Sequence, residues 1–324
     1  MSAPATGDAG TGEGPRHQGM RPRGETPPRD DWRKIGTAFA GILPGLWQAL
    51  AYLWRRPRRA PAPRIGLAGP MEGLALVALV AGLVAASMIL LDPLVTGLRP
   101  KLPVWLVILS ERLTDLGFSG TVLWPLGIAI VYVLALMPGL DAMGRRVAAS
   151  VLARLGFLFL AIAPVGLAVA VVKHLLGRAR PHAAFHLPGP NPQLTFDWLV
   201  WKSSFASFPS GHSTTALAAA VAFAALFPRA RGVLLALAVP VVATRIVLGS
   251  HYPSDVIAGA AIGSACALLV VKAFAARRVV FTVDPEGRVA PMAGPSARRL
   301  GCLVPNGAAN AATRPAVPVE EARP

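Results

Sequence analysis

Six long runs of apolar residues divide the chain, and shorter polar or basic segments separate them. The runs cover residues 73–91, 121–140, 155–172, 213–227, 232–249 and 256–275. Each approaches the ~20 residues that an α-helix needs to cross ~30 Å of hydrocarbon. The pattern therefore predicts an all-α, polytopic membrane protein, a bundle of six transmembrane helices within residues 65–278.

The two ends of the chain lack this pattern. Residues 1–34 are rich in Gly, Pro and Arg, residues 279–324 are rich in Pro and Ala, and both compositions predict disordered tails. Residues 35–64 carry apolar positions at helical spacing, but Pro44 interrupts them and basic residues lie on both sides. This favours an interfacial helix with a basic linker over a further span.

Composition supports the membrane assignment. Apolar residues make up 54% of the 324 residues and charged residues only 15%, against about 25% in soluble proteins, which excludes an ordinary cytosolic enzyme. The net charge is +16, but the basic residues cluster beside the apolar runs, as they do where helix ends face anionic lipid. We therefore expect no nucleic-acid partner, and the two cysteines indicate no disulfide framework.

The basic clusters also predict an orientation. They lie before the first span (residues 55–64), after the second (Arg145, Arg146), after the fourth (Arg229, Arg231) and after the sixth (Arg277, Arg278). Counting the crossings places all four on one side, which the positive-inside rule makes cytoplasmic together with both termini. The opposite, extracytoplasmic side then holds residues 92–120, 173–212 and 250–255.

Positive and imidazole groups nevertheless gather on that extracytoplasmic side. Residues 173–255 contain seven Lys or Arg, of which only Arg229 and Arg231 belong to the cytoplasmic clusters. The same stretch contains five of the six histidines and only two acidic residues. An excess of this kind, against the positive-inside rule, predicts an anionic partner.

Two polar clusters begin this region. Lys173, Arg180 and Pro181 follow the third span; alone, they fit a snorkelling lysine and a solvated loop arginine. Residues 209–212, Pro-Ser-Gly-His, open the fourth span and could be a plain helix start. A helix N-terminus, however, presents unpaired N–H groups and a partial positive charge, which bind phosphate without a metal.

The third cluster spans the turn after the fifth run and contains Arg245, His251, Ser254 and Asp255. An arginine inside an apolar run is costly without a functional partner. His251 and Asp255 are four residues apart, so the carboxylate could orient the imidazole and leave the other ring nitrogen as nucleophile or base. Asp255 alone could also be an ordinary helix cap. Counting the spans places all three clusters on the same side of the membrane.

In order and spacing, these residues resemble the signature of the type 2 phosphatidic acid phosphatase superfamily. This family comprises integral-membrane lipid phosphatases, and its fold also underlies glucose-6-phosphatase and the soluble vanadium haloperoxidases. The resemblance covers about residues 70–275. The matching positions are Lys173, Arg180, Pro181, Pro209, Ser210, Gly211, His212, Arg245, His251, Ser254 and Asp255.

The resemblance implies a role for each of these groups. His251 would take the phosphoryl group as a phosphohistidine, Asp255 would orient it, and His212 would protonate the leaving oxygen and then activate water. The phosphate-binding residues would be Lys173, Arg180, Ser210, Gly211 and Arg245. Phosphoryl transfer depends mainly on positioning and on stabilising charge at the equatorial oxygens, so cations at a helix N-terminus suit it. No metal or other cofactor is implied.

We therefore expect a multi-pass enzyme of a cell membrane, a bacterial inner membrane, with its active site at the extracytoplasmic face. It would hydrolyse a lipid phosphate or diphosphate: phosphatidate, phosphatidylglycerol phosphate, a polyprenyl diphosphate or a lipid A phosphate. Transfer to an acceptor alcohol and non-catalytic lipid binding or transport are the alternatives. A metal site is a further rival, although carboxylates are scarce and zinc spacings are absent. Its ligands would be His174, His182, His186, His212 and His251.

Overall fold

The structure is a computed structural model, and it describes residue 51, residues 55–59 and residues 69–303. The expected N-terminal tail, residues 1–34, lies outside this part of the chain. So do most of residues 35–64, expected as an interfacial helix and linker, and residues 304–324 of the C-terminal tail.

Helices account for most of the described chain, and each of the six predicted spans coincides with one of them. The long helices are α1 (Pro70–Leu90), α4 (Ser119–Leu136), α5 (Ala142–Leu176), α7 (Gly211–Leu226), α8 (Arg231–Val247) and α9 (Pro253–Ala276). The shorter helices are α2 (Asp92–Val95), α3 (Val104–Thr114), α6 (Pro181–Ala184) and α10 (Ala297–Leu300). The predicted helical membrane bundle is confirmed.

Five helical segments of the described chain are long and apolar enough to cross a membrane, when the consecutive helices of residues 104–139 are taken together. The sixth, α7, has only 16 residues. Its alanines at alternate positions from Ala216 to Ala224 are buried, since α7 packs against α5, α8 and α9. The helix that carries the second polar cluster is therefore the centre of the bundle.

Small residues bring α7 and α9 into close contact. Gly259 and Gly263 lie one turn apart on α9, and a Cβ at either position would collide with the backbone of Ser210 or Thr214 on α7. Such pairs of small residues let membrane helices approach closely. The approach sets the start of α7 beside the start of α9, where the second and third clusters lie.

Helix α5 begins earlier than the predicted span of residues 155–172. It starts at Ala142, where the Asp141 carboxylate caps it by accepting the Gly144 N–H at 2.6 Å, and it ends at Gly177 in the left-handed conformation. The first four turns carry Arg145, Arg146 and Arg154, so hydropathy alone did not reveal them. Only glycine is tolerated at position 177, where the helix ends, because a Cβ there would overlap the Asp197 carbonyl.

The expectation of disorder from residue 279 onward is wrong for residues 279–303. Strands β1 (Phe281–Val283) and β2 (Val289–Pro291) form an antiparallel hairpin at the end of the bundle opposite the polar clusters. Phe281 is fully buried, with its ring 5.0 Å from that of Phe157 on α5. The Arg154 guanidinium also donates to the Met292 and Ala293 carbonyls at 3.0 and 2.9 Å. A few apolar side chains therefore fix a segment whose composition resembles a linker.

Candidate active site

The loop of residues 177–209 folds back over one end of the bundle and joins the first cluster to the second. The Arg180 N–H donates to the Ser204 carbonyl at 2.9 Å, and the Ser207 N–H donates to the Arg178 carbonyl at 3.1 Å. Residues 178–180 and 204–207 therefore lie side by side. This pairing brings the chain after Lys173 to the start of α7.

Two further bonds join the second cluster to the third. The Ser210 N–H donates to the backbone carbonyl of Asp255 at 3.0 Å, and Nδ1 of His251 lies 2.8 Å from the Ser207 carbonyl. The starts of α7 and α9 and the turn of residues 248–252 therefore meet at one end of the bundle. The three clusters come together, as the counting of spans predicted.

His251 is held in one ring orientation and one tautomer. A carbonyl oxygen only accepts, so Nδ1 carries the proton that it donates to Ser207, and Nε2 keeps its lone pair. The ring is 3% exposed, and this burial lowers the pKa of His251 below its ordinary value, although the Asp255 carboxylate opposes the shift. A neutral imidazole with a free Nε2 is the form that can act as a nucleophile.

Asp255 faces the same ring nitrogen, but as its second neighbour. Its Oδ2 lies 3.6 Å from Nδ1 of His251, farther than the Ser207 carbonyl, and accepts the Ser207 hydroxyl at 2.6 Å and the Tyr252 N–H at 2.9 Å. The carboxylate therefore caps α9 and supports the imidazole at the same time. The sequence left open whether Asp255 orients His251 or caps a helix, and in the structure it does both.

Sequence reasoning missed one fully buried charge at the centre of the site, Arg178. This fully buried guanidinium donates to Oδ1 of Asp255, to the Ser254 hydroxyl at 2.7 Å and to Oδ2 of Asp92 at 2.7 Å. It also donates to the Gln193 carbonyl at 2.9 and 3.1 Å. We call Asp92, Arg178, Ser254 and Asp255 the buried ionic network.

The buried ionic network ties α2, the loop after α5 and the start of α9 together. Asp92 is itself fully buried, and it accepts the Ser254 N–H at 3.1 Å and the Ser254 hydroxyl. An acidic residue directly after an apolar span was the one signal that could have identified Asp92. Nothing comparable in the sequence distinguished Arg178 from the basic residues near it.

The three predicted phosphate-binding cations have a different environment. Arg245 is 7% exposed and donates to the Thr114 hydroxyl at 2.7 Å, while Arg180 reaches only the Ala206 carbonyl, at 3.4 Å. Within residues 69–303, neither arginine nor Lys173 forms an ion pair with a carboxylate. Burial lowers the pKa of Arg180 below its ordinary value, which reflects the cost of holding this guanidinium away from water.

These three cations all lie close enough to His212 to interact with it electrostatically. The charges of Lys173, Arg180 and Arg245 all reach the His212 imidazole, which also interacts with His251 and packs against the Phe118 ring at 6.0 Å between centroids. Because like charges repel, three cations gathered here without a carboxylate partner favour an anion between them.

The start of α7 provides backbone donors at the same place. Ser210 caps the helix: its hydroxyl oxygen accepts from the N–H and the hydroxyl of Ser213, at 3.4 and 2.9 Å. Its side chain is fully buried, so capping is its observed part in the site. A Cβ at Gly211 would meet no atom within 4 Å, and the first N–H groups of the helix, those of Gly211 and His212, have no carbonyl within their own helix to accept them.

The remaining histidines occupy the rim. His174 stacks on Trp201 with 5.0 Å between ring centroids and lies 2.8 Å from its own helix at the Ala170 carbonyl, while His182 and His186 are exposed. Across the described residues, no three His, Cys, Asp or Glu side chains gather closely enough to hold a metal ion. The rival five-histidine metal site is therefore not formed.

Fold and site together define an integral-membrane protein with three cations and two imidazoles gathered at one end of a helical bundle. Residues 154–278 match the model of the PAP2 superfamily. The lipid A 1-phosphatase of Rhizobium johnstonii is 34% identical over 242 residues, which cover 74% of this chain and 94% of that protein. The lipid A 1-phosphatase of Rhizobium etli is 35% identical over 222 residues, or 67% of this chain and 92% of that protein.

A third relative is the decaprenylphosphoryl-5-phosphoribose phosphatase of Mycobacterium tuberculosis, 39% identical over 107 residues, or 32% of this chain and 52% of that protein. The chain belongs to the PAP2 superfamily, and it is a multi-pass membrane lipid phosphatase. The resemblance found in the sequence is confirmed.

Proposed function

We propose that this chain removes the 1-phosphate of lipid A by way of a phosphohistidine at His251, on the extracytoplasmic side of a bacterial inner membrane. The observation that carries the mechanism is the gathering of Lys173, Arg180 and Arg245, without carboxylate partners, around His212 and His251. The substrate rests on relatives that match over nearly their whole length, the two lipid A 1-phosphatases.

In the first step Nε2 of His251 attacks phosphorus, an N–P bond forms and the P–O bond to the sugar breaks. His212 gives its proton to the departing oxygen, so lipid A leaves with a free hydroxyl. The three cations and the N–H groups at the start of α7 stabilise the charge on the equatorial oxygens as it spreads.

In the second step His212, now neutral, takes a proton from a water molecule while that water attacks phosphorus. The N–P bond breaks, inorganic phosphate leaves and His251 returns to its neutral form. His212 regains the proton that it donated, so the cycle restores both imidazoles.

The buried ionic network supports the phosphorylated state. It holds two carboxylates against one guanidinium, so its formal charge is −1. When His251 bears a phosphoryl group at Nε2 and keeps its proton at Nδ1, the ring carries positive charge. The Asp255 carboxylate, 3.6 Å from Nδ1, stabilises that charge.

The basic clusters support the proposed orientation. Arg145 opens α5, Arg231 opens α8 and Arg277 follows α9, all at the end of the bundle away from His251. The positive-inside rule makes this end cytoplasmic and the site end extracytoplasmic. A phosphate at the membrane surface can then enter the site while the acyl chains stay in the bilayer.

Purified protein assayed for phosphate release provides the test. We expect release from lipid A in the presence of a chelator, greater than release from phosphatidate, phosphatidylglycerol phosphate or a polyprenyl diphosphate. His251→Ala should abolish it, whereas His186→Ala, at an exposed rim position, should not. Undiminished release by His251→Ala would exclude the assigned nucleophile, and a phosphorylated acceptor without inorganic phosphate would exclude hydrolysis.

A further inference from the structure

An apolar groove runs down the outside of the bundle between α5 and α9. Its volume is about 460 Å³, and it is lined only by apolar side chains and the thiol of Cys266. Ala161, Val165 and Val169 form a buried floor, while exposed side chains such as Ala168 and Ile262 form the rim. Because α5 and α9 are both apolar enough to cross the membrane, this rim faces the hydrocarbon of the bilayer.

The upper end of the groove meets the active site. Pro209 lines it and directly precedes Ser210, the cap of α7. Val172 also lines it and directly precedes Lys173. Two of the three polar clusters therefore begin where the groove ends.

The length of the groove fits a chain within one leaflet. On α5 the lining runs from Val172 to Leu160, twelve residues, or ~18 Å at the rise of an α-helix. One leaflet provides about half of the ~30 Å hydrocarbon core. On α9 the lining begins at Ile262, seven residues below Asp255, and continues to Val270.

We propose that this α5–α9 groove binds one acyl chain of the substrate lipid while the phosphate occupies the cationic site. The inference rests on the proposed function. It adds a feature inside the membrane, the groove, by which the enzyme would select lipids that carry an acyl chain. A phosphate held by the cations places its lipid beside Pro209 and Val172, from which the groove is the continuous apolar path into the bilayer. Binding of the chain buries apolar surface only for substrates long enough to reach it.

The first test compares two substrates that share an anomeric phosphate: lipid A, and N-acetylglucosamine 1-phosphate, which has no acyl chain. Ala168→Trp fills the groove from its rim. Leu167→Trp is the matched control, since Leu167 is the preceding residue, is 69% exposed and does not line the groove.

We expect Ala168→Trp to lower kcat/KM for lipid A by tenfold or more and to leave kcat/KM for the sugar phosphate within twofold. Leu167→Trp should change neither value by more than twofold. An Ala168→Trp protein that keeps full activity on lipid A overturns the proposal, as does one that loses both activities in equal proportion.

The second test measures whether an acyl chain occupies the groove in a protein that cannot turn over its substrate. Cys302→Ser leaves Cys266, a free cysteine in the lining, as the only thiol of the chain. In a protein that also carries His251→Ala, lipid A added to phosphatidylcholine vesicles should slow alkylation of Cys266 by pyrene maleimide fivefold or more. N-acetylglucosamine 1-phosphate should not slow it, and equal rates with and without lipid A overturn the proposal.

The two tests separate failure of this inference from failure of the proposed function. If the unmodified protein releases phosphate from neither substrate, the proposed function is wrong, whereas Cys266 alkylation still reports chain binding. If phosphate is released but Ala168→Trp and the alkylation rate show no effect of the chain, only the groove proposal is wrong.

Discussion

In the proposed mechanism, the backbone prepares His251 for attack as much as a carboxylate does. The Ser207 carbonyl, 2.8 Å away, fixes the proton on Nδ1, and burial keeps the ring neutral. Oδ2 of Asp255 lies 3.6 Å from Nδ1 of His251. At that distance the carboxylate stabilises positive charge on the ring without accepting the proton that Nδ1 donates to Ser207. The arrangement favours a nucleophile that is neutral before attack and charged after it.

The direction of the His251 pKa shift gives a titration prediction. Because burial disfavours the imidazolium, the ring should lose its proton below pH 6.5, the usual value for histidine, and be neutral throughout the neutral range. NMR of the protein with ¹⁵N-labelled histidine, assigned by comparison with His251→Gln, would measure it. A titration of His251 at or above pH 6.5 would contradict this account of the nucleophile.

A substitution at Gly211 should impair catalysis without destabilising the fold. A Cβ there would meet no protein atom within 4 Å, and alanine favours a helix by about 1 kcal/mol over glycine. Gly211→Ala should therefore leave the melting temperature unchanged or higher. Its kcat/KM should fall by about tenfold or more, because the methyl group obstructs a phosphate that approaches the helix N–H groups.

Thermal unfolding and steady-state kinetics on the same preparation check both parts. Gly127→Ala on α4 is the control, since a Cβ at Gly127 also meets no atom within 4 Å but lies away from the site. If Gly211→Ala keeps full activity, the start of α7 does not take part in phosphate binding.

At the residue level, the sequence identified side chains through local spacing and missed those that meet across long separations. His251 and Asp255 are four residues apart, so one helical turn relates them. Arg178 and Asp92 are 86 residues apart, and their pairing depends on how α2 and the loop after α5 pack. The sequence already allowed residues 209–212 to be a plain helix start, and the bonds of Ser210 with Ser213 show that Ser210 caps α7.

At the level of elements, the buried ionic network joins segments that hydropathy treats as unrelated. Arg178 and Asp92 are both fully buried. Removing Arg178 leaves the Asp92 and Asp255 carboxylates without their guanidinium, whereas removing Asp92 leaves Arg178 paired with Asp255 alone. Breaking a buried pair in this way costs about 3–5 kcal/mol. Arg178→Leu should therefore destabilise the protein by roughly that amount, and Asp92→Ala by less, because Arg178 keeps its bond to Asp255.

A double-mutant cycle distinguishes this coupling from simple loss of packing. The double variant should be destabilised by less than the sum of the single variants, because without Asp92 the Arg178→Leu substitution no longer leaves that carboxylate buried without its guanidinium. Unfolding in detergent measures the free energies, and Glu111→Ala provides the control, since Glu111 pairs with Arg99 at an exposed position. Strictly additive effects would show that Asp92 and Arg178 do not stabilise each other.

Hydropathy predicted the positions of all six long helices, because a helical bundle in a membrane demands a continuous apolar run in each of them. It could not predict the first turns of α5, whose arginines lie beyond the apolar run, nor the hairpin of β1 and β2. The hairpin depends on a few side chains, notably Phe281 against Phe157, in a segment otherwise rich in turn-forming residues.

At the level of the whole molecule, the basic ends of the helices and the cationic site lie at opposite ends of the bundle. Cysteine labelling in intact cells tests the proposed orientation, in a protein with Cys266→Ser and Cys302→Ser. His186→Cys, exposed at the site end, should react with a membrane-impermeant maleimide from outside. Arg145→Cys, exposed at the other end, should react only after lysis, and the reverse pattern would place the site in the cytoplasm.

Trapping the phosphorylated intermediate tests whether His251 carries the phosphoryl group. In His212→Ala, para-nitrophenyl phosphate should still phosphorylate the enzyme, because its leaving group needs no proton, while hydrolysis should slow for want of a base. Mass spectrometry of protein quenched at alkaline pH should then find one phosphate, on His251. Phosphate on another residue, or turnover without any phosphorylated protein, would contradict the account.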